Sequence, residues 1–224
     1  MEIPEKETPW ITENSIYFPS PSQYTDSGHV LYSDSLPVKM LVDGYAHGVF
    51  PWPHSARARL IPWCSPDPRG IFEWDRFHIP RSLQRTIRQN RFEIRFDTAF
   101  RQVMQLCGVA HREWEGTWIT PQMVRAYTRL HELGFAHSVE SWLGERLVGG
   151  VYGVSIRGLF AAESMFYLEP DASKVALVAL YEWLRTKQYR LFDIQMVTEN
   201  TERFGAVEIP RAEYLRRLHH AVFE

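Results

Sequence analysis

The stretch that most constrains this 224-residue chain runs from Leu159 to Gln195. An apolar run, Leu159-Phe160-Ala161-Ala162, leads directly into Glu163. A helix-like segment follows over 171–187. A second apolar pair, Leu191-Phe192, then leads into Asp193 and Gln195. Two strand-like segments joined by a helix, each delivering a polar group at its end, describe a pocket floor. The same pattern fits an edge carboxylate and a solvated amide beyond two core strands, because polar strand ends are common.

Composition narrows the classes open to such a chain. At this length it forms one large domain or two small ones. The formal net charge of −2 excludes a generally basic nucleic-acid binder, so contact with nucleic acid requires a local basic patch. Eight tryptophans suit either a core or stacking on flat rings. The two cysteines, Cys64 and Cys107, lack metal-ligand spacing and form no disulfide framework, which points to a reducing, cytoplasmic setting and to no bound metal. No apolar run reaches membrane-spanning length, and the polar, acidic N-terminus is not a secretory signal.

Taken in order, residues 1–34 read as an extended arm. Ser35 reads as the cap of a helix with Pro37 in its first turn and Leu36, Met40, Leu41 and Tyr45 on its apolar face. Residues 60–75 read as ordered turns and short strands. His78 to Arg91 carries Arg81, Arg85 and Arg88 on one helical face, with no acid among them. That face is either solvated or a phosphate site, since the guanidinium fork matches phosphate geometry. After a strand over 92–96, Asp97 reads as a helix cap and Gly108 as the end of that helix. A polar loop with Trp114 and Trp118 follows over 109–119. Thr120-Pro121 opens another helix, and a hairpin turning at Gly144-Glu145-Arg146 comes next. Gly205 to Pro210 reads as a turn before a last helix over 211–222. Strands followed by a helix and a further strand predict an α+β or mixed α/β layer fold.

Several of these stretches together resemble one family. They are FPSP (Phe18 to Pro21), GVFPW (Gly48 to Trp52), WCSPDPRG (Trp63 to Gly70), HIPRSL (His78 to Leu83), EGTWIT (Glu115 to Thr120) and LVGGVYGV (Leu147 to Val154). AYTRLHELGFAHSVE (Ala126 to Glu140), ESMF (Glu163 to Phe166), ASK (Ala172 to Lys174), DIQ (Asp193 to Gln195) and GAVEIPR (Gly205 to Arg211) complete the set. In joint order and spacing the chain, from about residue 17 to its end, resembles leucyl/phenylalanyl-tRNA–protein transferases. It departs from them at Ala161-Ala162, where the family often shows Cys-Gly, and at Val207, where Cys is frequent.

The resemblance implies transfer of Leu or Phe from charged tRNA to the N-terminal amine of proteins beginning with Lys or Arg, which marks them for degradation. No cofactor is expected. It also implies a small N-terminal α/β domain followed by an acetyltransferase-like (GNAT-like) domain. In that scheme 1–34 is the arm, 35–112 the small domain with the basic helix, and 113–224 the catalytic domain. Trp52 and Trp118 correspond to residues that hold the terminal adenosine, although each alone also reads as core. Arg81 corresponds to part of a tRNA-phosphate patch, which Arg85 and Arg88 extend by helical spacing. Glu163, Asp193 and Gln195 correspond to the polar centre. Gln195 is expected to accept from the attacking amine, Asp193 to orient and polarise it, and Glu163 to hold the acceptor's charge. Phe160, Met165 and Phe192 flank these positions as candidate walls of an aminoacyl pocket, with Val151, Leu180 and Leu184 beside them; all six also read as ordinary core. The competing functions are an acyl-CoA-dependent N-acetyltransferase and a non-catalytic tRNA- or degron-binding module. The first wants a Gly-rich pyrophosphate loop, whereas Glu169-Pro170-Asp171 occupies the turn before the main helix.

Overall fold

The computed structural model describes residues 11–53, 59–112 and 117–224. In chain order its first half holds β1 (His29–Ser33), α1 (Val38–Ala46), β2 (Phe50–Pro51), β3 (Ile61–Cys64), β4 (Arg69–Phe72), α2 (Arg81–Arg88), β5 (Glu93–Phe96) and α3 (Phe100–Arg112). The second half holds α4 (Pro121–Glu132), β6 (Ala136–Leu143), β7 (Arg146–Ile156), β8 (Leu159–Tyr167), α5 (Ala172–Thr186), β9 (Leu191–Gln195), α6 (Glu199–Glu202), β10 (Ala206–Ile209) and α7 (Arg211–Phe223).

Two sheets organise these elements. A three-stranded sheet has the order β1-β3-β2, and a seven-stranded sheet has the order β10-β4-β9-β8-β7-β6-β5. Every neighbouring pair in the large sheet is antiparallel except β8 and β9. A parallel pair needs a long crossover, and α5 supplies it. One apolar cluster fills the space between the sheet and α5. A second lies on the opposite face under α1, α3, α4 and α7. β7 sits between the two layers and is buried from Leu147 to Ile156, which is why LVGGVYGVSI reads as a continuous run without alternation.

The mixed α/β class agrees with the sequence reading, and several details differ from it. β4 and β5 lie in the large sheet although they precede residue 112, so the change from the small to the large sheet falls near residues 64–69. Hydrogen bonding across strands far apart in sequence, which composition does not register, decides this. The arm is partly strand, with β1 in the small sheet. Asp43, buried on α1, accepts from Ser15 Oγ (2.6 Å) and from the Tyr17 N–H (3.0 Å), fastening the arm to the body. The helix after Ser35 starts at Val38 with Pro37 as its cap, and Ser35 hydrogen-bonds Asp34 instead.

Asp97 has φ +59°, outside any helix cap, and accepts from the Ser138 N–H at 2.8 Å. The buried Glu140 instead takes the Thr98 N–H and the Ala99 N–H, both at 3.3 Å, at the start of α3. A negative group there meets the positive end of the helix. α3 also passes through Gly108 to Arg112, so the loop after it is shorter than expected, and Trp114 lies outside the described residues. The segment expected as a turn over 205–210 is strand β10, paired to β4 from Ala206↔Phe72 to Ile209↔Arg69. Thr120 caps α4 through the Met123 N–H as predicted (3.1 Å).

The packing of α5 on the sheet depends on a missing side chain. A Cβ on Gly149 would stand 2.5 Å from the Ala172 Cβ at the first turn of α5. Gly149→Ala is therefore expected to lower stability by about 1–3 kcal/mol through overpacking, read as a lowered thermal midpoint. An unchanged midpoint would show that the first turn of α5 shifts without cost.

Candidate active site

The site forms where the two parallel strands part. β8 and β9 pair only at Leu159↔Leu191, Phe160↔Phe192 and Ala161↔Asp193. Two positions past the end of this ladder stand Glu163 on β8 and Gln195 on β9. They meet through side chains, with Gln195 Nε2 donating to Glu163 Oε1 at 3.2 Å. Ligands of open α/β sheets bind at such carboxyl ends of parallel strands.

Glu163 faces the side of the sheet covered by α1 and α4. Tyr45 of α1 donates to its Oε1 at 2.7 Å, and the Tyr127 hydroxyl of α4 lies 2.5 Å from the Tyr45 hydroxyl. Tyr45 gives its single proton to Glu163, so the Tyr127 proton points at the Tyr45 oxygen. Tyr152 of β7 packs edge-on to Tyr127, with centroids 6.3 Å apart. Burial pushes the Glu163 carboxyl up to about 8; the Tyr45 hydrogen bond opposes this and the charge of Asp193 adds to it. The same burial, with Glu163 close by, raises the Tyr45 and Tyr127 hydroxyls well above the usual tyrosine range. Glu163 nevertheless keeps some accessible surface.

Asp193 is fully buried and belongs to a different set of contacts. Arg69 of β4 grips it in a bidentate fork, Nε to Oδ1 at 2.9 Å and Nη2 to Oδ2 at 2.6 Å. Tyr214 of α7 donates to Oδ2 at 2.9 Å. The third arm of Arg69 donates to the Gly48 carbonyl at 3.0 Å, and its guanidinium lies 4.3 Å from the Tyr214 ring centroid and 4.9 Å from that of Phe50. Burial alone would lower the Arg69 pKa, but the Asp193 carboxylate outweighs it and holds the guanidinium charged. Asp193 reaches Gln195 at the main chain, where the Gln195 N–H donates to Oδ1 at 2.9 Å. That bond supports the left-handed backbone of Gln195 (φ +59°), a conformation a non-glycine residue keeps only when its surroundings fix it. The direct contact thus orients the Gln195 backbone, while its amide is oriented by Glu163.

The remaining expected residues fall into three places. Trp52, whose N–H donates to the Pro62 carbonyl at 2.8 Å, and Trp118, just before the α4 cap, are both half-buried. Both pack against the apolar cluster that contains Tyr45 and Tyr127, on the Glu163 side of the sheet. Arg81, Arg85 and Arg88 are exposed on α2, and among the described residues none pairs with an acid. α2 packs through Leu83 on the α5 side, so its basic face and the two tryptophans lie on opposite faces of the sheet. Val151, Phe160, Leu180, Leu184 and Phe192 are at most 2% exposed and pack together between the sheet and α5, with Phe160 and Phe192 edge-on at 6.0 Å. Met165 borders the same cluster and keeps accessible surface.

Sequence reasoning missed Arg69, Tyr214 and the polar use of Tyr45 and Tyr127. In the sequence Tyr45 stands out only as an apolar position on a helical face, and Arg69 only as part of the WCSPDPRG stretch.

Asp97, His131 and His137 bring ligand-type atoms within 4.8 Å of one another. However, His131 Nδ1 lies 2.8 Å from the Ala136 carbonyl and His137 Nδ1 2.8 Å from Asp97. Both Nδ1 atoms therefore carry protons in these contacts, which tie α4 and Asp97 to the start of β6. Cys64 and Cys107 are both free thiols, and burial pushes that of Cys107 up to about 12, far from a reactive thiolate. No helix among the described residues is long and apolar enough to cross a membrane.

A polar cluster at the carboxyl ends of two parallel strands, with buried tyrosines on one side and an arginine clamp on the other, is the candidate active site of this mixed α/β fold. The model of the leucyl/phenylalanyl-tRNA protein transferase family matches residues 71–219, and that of its N-terminal domain matches residues 34–67. The chain is 49% identical over 208 residues to the leucyl/phenylalanyl-tRNA–protein transferase of Anaeromyxobacter sp. (strain Fw109-5), covering 92% of this chain and 88% of that protein. It is 51% identical over 181 residues to the protein of that name from Herpetosiphon aurantiacus, covering 80% and 91%. The chain belongs to the leucyl/phenylalanyl-tRNA protein transferase family, whose members are aminoacyltransferases.

Proposed function

We propose that the chain transfers leucine or phenylalanine from its tRNA ester to the N-terminal amine of proteins beginning with Lys or Arg, and so marks them for degradation. The observation that carries this reading is the Glu163–Gln195 pair at the parting of β8 and β9. Gln195 Nε2 is held by Glu163, so Oε1 is the atom that accepts a hydrogen bond from the attacking amine. The ester is already activated, and an α-amine with a pKa of roughly 7.7–8.0 is partly neutral near pH 7.5. The amine nitrogen bonds the ester carbon, the carbon–oxygen bond to the ribose breaks, and the departing 3′-terminal oxygen takes up the proton. Orientation supplies much of the rate, up to ~7–11 kcal/mol in favourable cases.

Glu163 faces the first side chain of the acceptor, whose cation favours its ionised form. Trp52 and Trp118 hold the terminal adenosine, each stacked base being worth ~1–3 kcal/mol. The aminoacyl side chain enters beside Met165, the exposed member of the apolar set, with Val151, Phe160, Leu180, Leu184 and Phe192 behind it. An acyl-CoA reading is disfavoured by the turn before α5, where Glu169 pairs with Arg91 and Arg146, and Asp171 with Lys174. The turn Glu169-Pro170-Asp171 has no Gly-rich loop whose main-chain N–H groups could cradle a pyrophosphate, and its carboxylates already occupy the nearby cations.

The test is transfer of labelled Leu and Phe from charged tRNA to peptides beginning with Arg, Lys, Asp or Ala. Transfer to Arg and Lys alone, lost in Gln195→Ala, is expected; transfer to Asp would keep the reaction and overturn the acceptor assignment. The Arg81, Arg85 and Arg88 face is expected to bind tRNA phosphates. Replacing all three with Gln should weaken tRNA binding and reduce the log–log salt slope by about 2–3. An unchanged slope removes this face from the tRNA interface.

A further inference from the structure

We propose that the open edge of β8 recognises the main chain of the acceptor polypeptide, which adds to the large sheet as a short extra strand beside residues 164–167. The inference rests on the transfer reading above and describes how the same site takes its second substrate.

β8 is paired to β7 from Leu159↔Ile156 to Tyr167↔Gly149, with a bulge at Glu163 between Gly153↔Ala162 and Tyr152↔Ser164. On its other side it is paired to β9 only as far as Ala161. Beyond that point β9 keeps to β4: Gln195 pairs with Gly70, and a Cβ on Gly70 would stand 2.8 Å from the Val197 nitrogen. The strands therefore part, and beyond the bulge at Glu163 alternate N–H and C=O groups of residues 164–167 point to a side where no strand of the described residues pairs with them.

Natural sheet edges are guarded by Lys, Pro, shortness, bulges or inward charges. In Ala162-Glu163-Ser164-Met165-Phe166-Tyr167 the bulge and the charge both fall at Glu163, at the start of the gap, and the rest of the segment has neither Lys nor Pro. Ala162 to Met165 keep accessible surface, and Tyr167 is 66% exposed.

Glu163 and Gln195 stand at the closed end of this gap. A polypeptide whose first residue is held there has the gap ahead of it as its path toward Tyr167. Tyr167 and Leu168, at and just past the far end of β8, are exposed at the exit, and Met196, next to Gln195, is exposed nearer the closed end. Strand addition reads peptide N–H and C=O groups and little else, which suits an enzyme that takes proteins differing after their first residue. The nucleotide end of the donor has no repeating peptide groups with which to complete a ladder.

The experiment uses the full chain and acceptor peptides beginning with Arg, each N-methylated at one backbone amide among residues 2 to 5. Binding is read by fluorescence anisotropy, and transfer as the peptide KM. The protein itself is unaltered, so folding is not at issue. A loss of roughly 3- to 10-fold at alternate positions is expected, with little change at the positions between them and no change in the KM for charged tRNA. Equal affinity for every peptide, or a penalty without alternation, overturns the proposal. Alternating binding without any transfer supports the edge and overturns the transfer reading; transfer without alternation does the reverse.

Discussion

Arg69→Met is expected to destabilise the protein by about 3–5 kcal/mol, which at this size is a fall of roughly 6–20 °C in the thermal midpoint. The reason is the carboxylate left behind. Asp193 is fully buried and receives two of its hydrogen bonds from Arg69. Removing the cation leaves a charge in the interior with only the Tyr214 hydroxyl and one main-chain N–H to satisfy it. Asp193→Asn is expected to cost nearly as much, because it strands the guanidinium instead. The double substitution should cost clearly less than the sum, since neither partner then remains uncompensated. Denaturant unfolding of the four proteins measures this, and additivity would mean that the pair does not act as a unit. The clamp also joins four parts of the chain, through Gly48 after α1, Arg69 on β4, Asp193 on β9 and Tyr214 on α7. Activity is expected to fall with stability in either single variant, because the side chain at 193 that accepts the Gln195 N–H is then no longer held in place by the Arg69 fork.

The second large effect is on pH dependence. With its carboxyl raised to about 8, Glu163 is mostly neutral at pH 7 in the empty site. The KM for an acceptor beginning with Arg is expected to fall about 10- to 100-fold as pH rises through 8, when Glu163 becomes a charged hydrogen-bond partner. Glu163→Gln should abolish that fall while keeping the titration of the acceptor's own amine, which appears in both proteins. A KM that moves equally in both would assign the whole profile to the amine.

The stability counterpart has the opposite sign. The folded carboxyl holds its proton more tightly than an ordinary one at 4.5, so its contribution is unchanged below that value and becomes progressively unfavourable as pH rises toward 8. The melting temperature of Glu163→Gln, relative to the unaltered protein, should therefore rise between pH 5 and pH 8.

The sequence by itself determined the local elements and their polar ends. The 3.6-residue stripes of α4 and α5, the cap at Thr120, the hairpin at Gly144, and the two apolar runs ending at Glu163 and at Asp193 and Gln195 all follow from short-range rules, because each depends on residues within a turn or a strand of one another. Tertiary structure alone decided what those ends face. Arg69 is 124 residues from Asp193 and Tyr45 is 118 from Glu163, and no periodicity links such pairs. The same holds for β10, whose four residues look like a turn until β4 supplies hydrogen-bond partners. It holds too for Asp97 and Glu140, where the cap of α3 comes from a strand 41–42 residues away. Burial raises the Glu163 carboxyl, and pairing holds Arg69 charged. Neither property belongs to the residue type: both arise when distant segments exclude water from around a polar group and leave only particular partners to satisfy it.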